Sequence, residues 1–172
     1  MLRTGAIWAA GLLLAAVVAG AVWVRTAPLP PDRHHLDPVD APAPSTPNHH
    51  RLLPAGSALP GPGITQAPVW APVWAMTAEA LMAEFDRVAM ASPRVTRLAG
   101  SVDAGHVTYV ARSRIWGFPD LVSVRSIALP EAEDGPRATL AAFSRARFGQ
   151  SDLGVNRARM EAWIAALPPA TE

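Results

Sequence analysis

The chain has 172 residues, a formal net charge of +1 and no cysteine. The lack of cysteine excludes disulfides, thiolate metal ligands and a cysteine nucleophile, and the balanced charge argues against a nucleic-acid-binding surface. Hydrophobic residues make up 50% of the chain, which is enough to bury the core of one domain.

The first element is an uncharged apolar segment, Gly5–Val24. As a helix it spans roughly 30 Å, which is the thickness of the hydrocarbon core of a bilayer. Trp8 and Trp23 lie near its two ends, where indole rings favour the membrane interface. The segment therefore predicts a single-pass membrane anchor. A cleaved signal peptide remains an alternative, because Ala19-Gly20-Ala21 offers small residues for cleavage.

The charges that flank this segment give little information on its orientation. Arg3 precedes it and Arg25 and Arg33 follow it, so the positive-inside rule is nearly balanced. A short N-terminal tail usually stays in the cytoplasm. We therefore expect a bacterial protein in the inner (cytoplasmic) membrane with its C-terminal domain in the periplasm.

Residues 26–75 are rich in proline, which removes backbone donors and disfavours helices and central strands. They predict a largely disordered tether between an anchor (1–25) and a folded domain (76–172). Its last part, a PVWxPVW repeat at 68–74, is too apolar for a solvated linker and is expected to dock on the domain or lie at the membrane interface. The pairs His34-His35 and His49-His50 are interpreted as linker residues, because their spacing fits no known metal site.

Residues 76–172 carry helix and strand patterns in the order α-β-β-β-β-α. The predicted elements are a helix capped by Thr77 and ending near Met90, strands at Val95–Val102, His106–Ile115, Leu121–Leu129 and Ala138–Phe148, and a last helix capped by Asn156. This order predicts an α+β domain, a small antiparallel sheet of about four strands with two flanking helices.

Two stretches of this domain resemble a known family. They are YVARSRIWGFPD at 109–120 and SRARFGQSDLGVNRAR at 144–159, and the second is the more specific. Both are similar to sequences of the domain-of-unknown-function family 1499, and the resemblance covers roughly residues 76–167. It implies no established activity, substrate or cofactor, and many bacterial members look like short anchored or exported proteins.

Four arginines on two predicted strands are candidates for anion binding. Arg112 and Arg114 share one strand face, and Arg145 and Arg147 share another. If the two strands lie close together, the planar guanidinium groups would suit a carboxylate or a phosphate. The alternative is that these arginines pair with acidic side chains in surface networks.

The segment 151–156 admits a catalytic interpretation, with Ser151 as a nucleophile, and a structural one. The structural interpretation is favoured, because His106 is the only histidine of the domain and no nucleophile-elbow motif occurs. In that interpretation Asp152 stabilises a turn and Gly154 adopts a special backbone angle. The full candidate ligand-binding set is Arg112, Arg114, Asp120, Arg145, Arg147, Ser151, Asp152, Asn156 and Arg157.

Three functions remain open from the sequence. The first is a non-enzymatic, membrane-anchored extracytoplasmic domain that binds a small anionic ligand or an envelope partner. The second is a small enzyme that acts on an anionic substrate through Arg112, Arg145, Asp152 and Asn156. The third is a structural assembly protein of the envelope. No residue pattern calls for a cofactor, a metal or a nucleic-acid partner.

Overall fold

The computed structural model describes residues 2–42, 44–58, 66–133 and 135–171 and shows an α+β fold. This confirms the predicted fold class. The elements in chain order are α1 (Leu2–Thr26), α2 (Pro31–His34), β1 (His49–Leu53), β2 (Val69–Trp70), β3 (Val73–Trp74), α3 (Ala78–Ala91), β4 (Val95–Ser101), β5 (His106–Arg112), β6 (Pro119–Ala132), β7 (Gly135–Ala146) and α4 (Val155–Ala165).

The described strands form one sheet in the order β2-β1-β7-β6-β5-β4, with β3 also paired to β7. All pairs are antiparallel except β1 with β2. The long hairpin of β6 and β7 is the centre of the sheet. It pairs from Asp120↔Ala146 to Ala132↔Gly135, with a register shift between Leu129 and Ala132. One end of the sheet therefore carries the β5–β6 loop and the segment after β7, and the other end carries the tight turns.

Helices α3 and α4 cover one face of the sheet. Thr77 caps α3 by accepting a hydrogen bond from the amide of Ala80 at 3.2 Å, as the sequence predicts. Helix α3 buries an apolar stripe against the sheet, and the ring of Phe85 packs against Tyr109 of β5 and Trp163 of α4. Burial of each such aromatic side chain contributes about 1.5–3 kcal/mol, so this face holds the main hydrophobic core.

The opposite face is polar, and the N-terminal chain crosses it. We call residues 27–41 the strap. Its backbone carbonyls accept hydrogen bonds from side chains of the sheet, and the donor–acceptor pairs are Arg147–Pro28, Arg145–His34, His106–Leu36 and Arg51–Ala41. Proline-rich backbone has free acceptors and few donors of its own, so it matches a surface of arginines and histidines.

The interpretation of residues 26–75 as a stretch without central strands is wrong. Strand β1 is buried throughout and pairs with β7, and β2 and β3 extend the sheet to seven strands instead of about four. The reason is local: residues 48–53 contain no proline. The expectation that the PVWxPVW repeat docks on the domain is confirmed, since Trp74 is 1% exposed and donates to the carbonyl of Pro168 at 3.0 Å.

Two further predictions need correction. The predicted strands stop at Leu129 and resume at Ala138, but β6 continues to Ala132 and β7 already begins at Gly135. The last helix begins at Val155 with Gly154 at its N-cap position, so Asn156 lies in the first turn and is not the cap. Gly154 has a φ of 79°, as the predicted special angle requires.

Helix α1 includes one segment, Ile7–Thr26, that is long and apolar enough to cross a membrane. Its C-terminal end contacts the domain. Arg25 donates to the carbonyls of Ile115 at 2.6 Å and Trp116 at 3.2 Å, and the rings of Trp23 and Phe148 lie 5.3 Å apart. Gly117 has a φ of +71°, and a Cβ there would lie 2.8 Å from Cγ of Arg25. The β5–β6 loop is therefore shaped to receive the end of α1.

Acidification is expected to destabilise the fold. Burial lowers the pKa of four histidines, which are His34, His49, His50 and His106. Because the folded state keeps these imidazoles neutral, the unfolded chain takes up protons first as the pH falls through 6.5. Their contribution to stability is thus complete above that pH and is lost below it. The melting temperature should fall between about pH 7.5 and about pH 5.5.

The variant His106→Gln provides the check. It keeps a donor for the carbonyl of Leu36 but removes one titrating group. Its melting temperature should depend less steeply on pH than that of the unchanged protein. A melting temperature that is constant over this pH range in the unchanged protein would contradict the assignment.

Candidate functional site

Asn156 lies at the centre of a buried polar network between α4 and the sheet. It is 0% exposed, and its side-chain oxygen accepts hydrogen bonds from Ser144 at 2.5 Å and Arg159 at 2.9 Å. Its side-chain amide donates to Asp152 at 2.7 Å and to the carbonyl of Asn48 at 3.3 Å. The network therefore joins the segment after β7 to the strand β7 itself and to the residue before β1.

The carboxylate of Asp152 organises the start of α4. It accepts hydrogen bonds from the amides of Asn156 at 2.9 Å and Gly154 at 3.2 Å. Burial would raise the pKa of Asp152, but these hydrogen bonds outweigh burial and hold the pKa below its usual value. Ser151 accepts a hydrogen bond from the amide of Leu153 at 3.3 Å. These contacts are those that the structural interpretation of the segment predicts.

Asp120 and Arg159 form an ion pair at 2.6 Å, with side chains that are 11% and 13% exposed. Burial raises the pKa of Asp120, and the charge of Arg159 opposes this rise. Arg159 also donates to Ser144 and Asn156, so the ion pair belongs to the same network. Within the family-like stretches, Asp120, Ser144, Asn156 and Arg159 therefore satisfy one another, which is the role of structural groups.

The four arginines predicted to converge lie in two separate places. Arg145 and Arg147 point to the polar face and bind the strap, whereas Arg112 and Arg114 line a pocket of about 340 Å³ at the anchor-side end of the sheet. The predicted convergence required the two strands to lie close together, but β6 lies between β5 and β7. Strand β5 also stops at Arg112, so Arg114 belongs to a loop. Arg157 pairs with Glu161 at 2.7 Å, as the surface-network alternative expects.

Two more arginines line this pocket, Arg94 and Arg159. Arg94 has a φ of 60° and donates to the carbonyl of Arg112 at 3.2 Å, and Arg112 donates to the carbonyl of Gly117 at 3.0 Å. Within the described part of the chain, no carboxylate forms an ion pair with Arg94, Arg112 or Arg114. We call these three residues the arginine pocket. Arg94 gives no signal in the sequence beyond its place after Pro93.

An apolar groove of about 350 Å³ adjoins the arginine pocket, and the two share Ser113 and Val155. The aromatic side chains that line the groove are Trp116, Phe118 and Phe148. The surrounding loop side chains are open to solvent, with Ile115 70% and Leu153 93% exposed. Trp116 and Phe118 also border a cavity against Val17, Gly20, Ala21 and Val24 of α1. Cationic and apolar surfaces thus meet beside the anchor.

The comparisons with known proteins agree with the sequence resemblance. The model of the family described as Protein of unknown function (DUF1499) matches residues 40–167, and the chain belongs to this family. The match begins well before residue 76, in the stretch that supplies β1, β2 and β3. No curated protein and no solved structure matches the chain.

The variant Asn156→Ala tests the structural role of the network. It leaves polar atoms of Ser144, Asp152 and Arg159 without their buried partner, so we expect a loss of about 2–4 kcal/mol in the free energy of unfolding. The measurement is urea denaturation of the full chain in detergent.

Arg157→Ala is the matched control on the next residue of α4. The Arg157 side chain is 69% exposed and pairs with Glu161 within its own helix. Its loss should change the free energy of unfolding by no more than about 0.5 kcal/mol. Equal effects of the two substitutions would contradict the proposed network.

Proposed function

We propose that this member of the family is a membrane-anchored binding protein whose arginine pocket holds the anionic headgroup of a membrane lipid. The observation that carries the proposal is the juxtaposition of three features at one end of the sheet. They are the arginine pocket, the apolar groove beside it and the end of the apolar helix α1. An anionic lipid has a charged head and apolar chains in the same arrangement.

The pocket has the chemistry of a phosphate site. Planar guanidinium groups donate paired hydrogen bonds to phosphate oxygens, and such charge-assisted bonds are stronger than neutral ones. Arg94 and Arg112 make hydrogen bonds to backbone carbonyls, which fix their positions but leave their charge uncompensated. Arg159 lines the same cavity as the arginine pocket, and among the described residues it is the only one of these four arginines that pairs with a carboxylate, that of Asp120.

The exposed apolar side chains support contact with the bilayer. Ile115, Trp116 and Leu153 lie at the end of the domain that faces the C-terminal end of α1. Side chains of this type gain free energy when they leave water, and tryptophan favours the membrane interface. Trp23 of α1 also lies next to Phe148. The domain would therefore rest on the membrane with the groove facing the lipids.

An uncleaved anchor fits these contacts better than a removed signal peptide. Cleavage after Ala21 would leave the chain without most of α1, and the cavity that Trp116 and Phe118 share with the helix would open to water. We propose that α1 crosses the cytoplasmic membrane and that the domain lies on the periplasmic side.

The geometry favours binding over the proposed enzyme site. Asn156 is 0% exposed and its hydrogen bonds are made within the protein, while Arg145 lies on the polar face under the strap. These residues and Arg112 do not share a pocket. The assembly function would require a protein partner in place of a lipid, and the following measurement separates the two.

Native mass spectrometry of the full chain in detergent tests the lipid site. We expect phosphatidylglycerol to remain bound more strongly than phosphatidylcholine, because only the first carries a net negative charge. The double variant Arg112→Gln/Arg114→Gln should weaken phosphatidylglycerol binding about tenfold, which corresponds to about 1.4 kcal/mol. Its binding of phosphatidylcholine should not change.

The matched control is Arg87→Gln/Arg157→Gln. Both of these arginines are exposed on helices and paired to glutamates, so the net charge changes equally while the pocket is intact. The control should keep the preference for phosphatidylglycerol. Equal weakening in both double variants, or no preference in the unchanged protein, would contradict the proposal.

A reporter fused after residue 172 tests the orientation and the anchor together. Alkaline phosphatase, which is active only outside the cytoplasm, should be active and should remain in the membrane fraction at the mass of the uncleaved chain. Activity of a cytoplasmic reporter only would reverse the orientation. A soluble, shortened fusion would show that α1 is removed.

A further inference from the structure

The polar face of the sheet buries two guanidinium groups that have no carboxylate partner among the described residues. Arg51 is 4% exposed and Arg145 is 9% exposed. Buried ions in proteins are ordinarily paired, because desolvation of a lone charge is costly. Burial, with a contribution from the nearby charge of Arg51, lowers the pKa of Arg145 to about 10. Among the described residues, the buried part of this polar face therefore holds an excess of positive charge.

Phe143 positions both groups. The Arg51 guanidinium lies 4.0 Å from the centre of the Phe143 ring and that of Arg145 lies 5.0 Å from it. Ser123 adds a hydroxyl group, which accepts a hydrogen bond from Arg145 at 3.2 Å. The site is thus built from three neighbouring strands, β1, β7 and β6. The guanidinium groups of Arg51 and Arg145 are thus held by packing against the Phe143 ring and not by contacts with each other.

The strap supplies the oxygens that these donors bind. Arg51 donates to the carbonyls of Ala41 at 2.7 Å and Val39 at 3.4 Å, and Arg145 donates to the carbonyl of His34 at 2.7 Å. All three acceptors are neutral. An anionic acceptor would give the two guanidinium groups the compensating charge that these neutral carbonyls lack.

We propose that Arg51 and Arg145 form a second anion site, for a phosphate group, that the strap closes by placing its carbonyl oxygens where phosphate oxygens would bind. The strap is held mainly by bonds to side chains of the sheet. Within itself it has backbone hydrogen bonds at Arg33, His35 and Ala41, of 3.1, 2.8 and 2.9 Å. Asp37 fixes its middle through an ion pair with Arg125 at 2.6 Å and a bond from the amide of Val39.

Opening of the strap would also loosen the anchor. The strap begins directly after α1, and Arg147 holds its first residues through the carbonyls of Ala27 and Pro28. A phosphate group that displaces the strap would therefore lengthen the connection between membrane and domain. Binding and opening are linked, so the apparent affinity depends on how often the strap is open.

Hydrogen exchange of the full chain in detergent tests this site, with sodium phosphate as the ligand and sodium chloride of equal ionic strength as the reference. Phosphate should speed exchange at the amides of His35, Val39 and Ala41 and leave α3 unchanged. The variant Asp37→Ala weakens the closed strap, so the half-effective phosphate concentration should fall about two- to fivefold.

Two further variants make the result specific. Arg51→Gln in the Asp37→Ala background should abolish the phosphate effect, whereas Arg114→Gln, which alters only the membrane-side pocket, should leave it intact. The proposal is overturned if chloride reproduces the increase, if Asp37→Ala shows no phosphate effect, or if the effect survives Arg51→Gln. The comparison of Asp37→Ala with the unchanged protein requires no arginine substitution, so it holds even if Arg51→Gln fails to fold.

Discussion

Arginine side chains on the polar face of the sheet need oxygen acceptors, and the N-terminal chain supplies them. Arg51, Arg145 and Arg147 bind carbonyls of the strap, which lies between the anchor and the first strand. This interaction decides where the strap runs, and hence where α1 leaves the domain. The end of α1 then meets the loop that carries Ile115 and Trp116. The position of the arginine pocket and the groove beside the end of α1 follows from it.

The elements with a strong local pattern were predictable. The stripe of α3 and its Thr77 cap need only helical spacing and a side-chain oxygen before the first turn. The turn at 103–105 needs only a residue that tolerates positive φ, and Gly105 has a φ of 65°. These features depend on residues close together in the chain, so the sequence alone carries the information.

The strap and β1 were not predictable in the same way. Their stability comes from partners far along the chain, such as Arg145 for His34 and Ala142 for Leu52. Proline content argues correctly against regular hydrogen bonding within the strap, but not against binding to side chains elsewhere. The arginines predicted to form one site lie in two separate places for the same reason. Strand alternation predicts on which face of the sheet the side chains of Arg112 and Arg145 lie, but it does not predict which segments cover each face.

The central claim is that the β5–β6 loop touches the bilayer. The chain has no cysteine, so a single nitroxide label can be attached at Ile115→Cys in the full chain in nanodiscs, with Ala104→Cys at the far turn as reference. The account predicts that the label at 115 collides more with oxygen than with a water-soluble nickel chelate, and that the label at 104 does the reverse. Equal, water-like accessibility at both positions would contradict it.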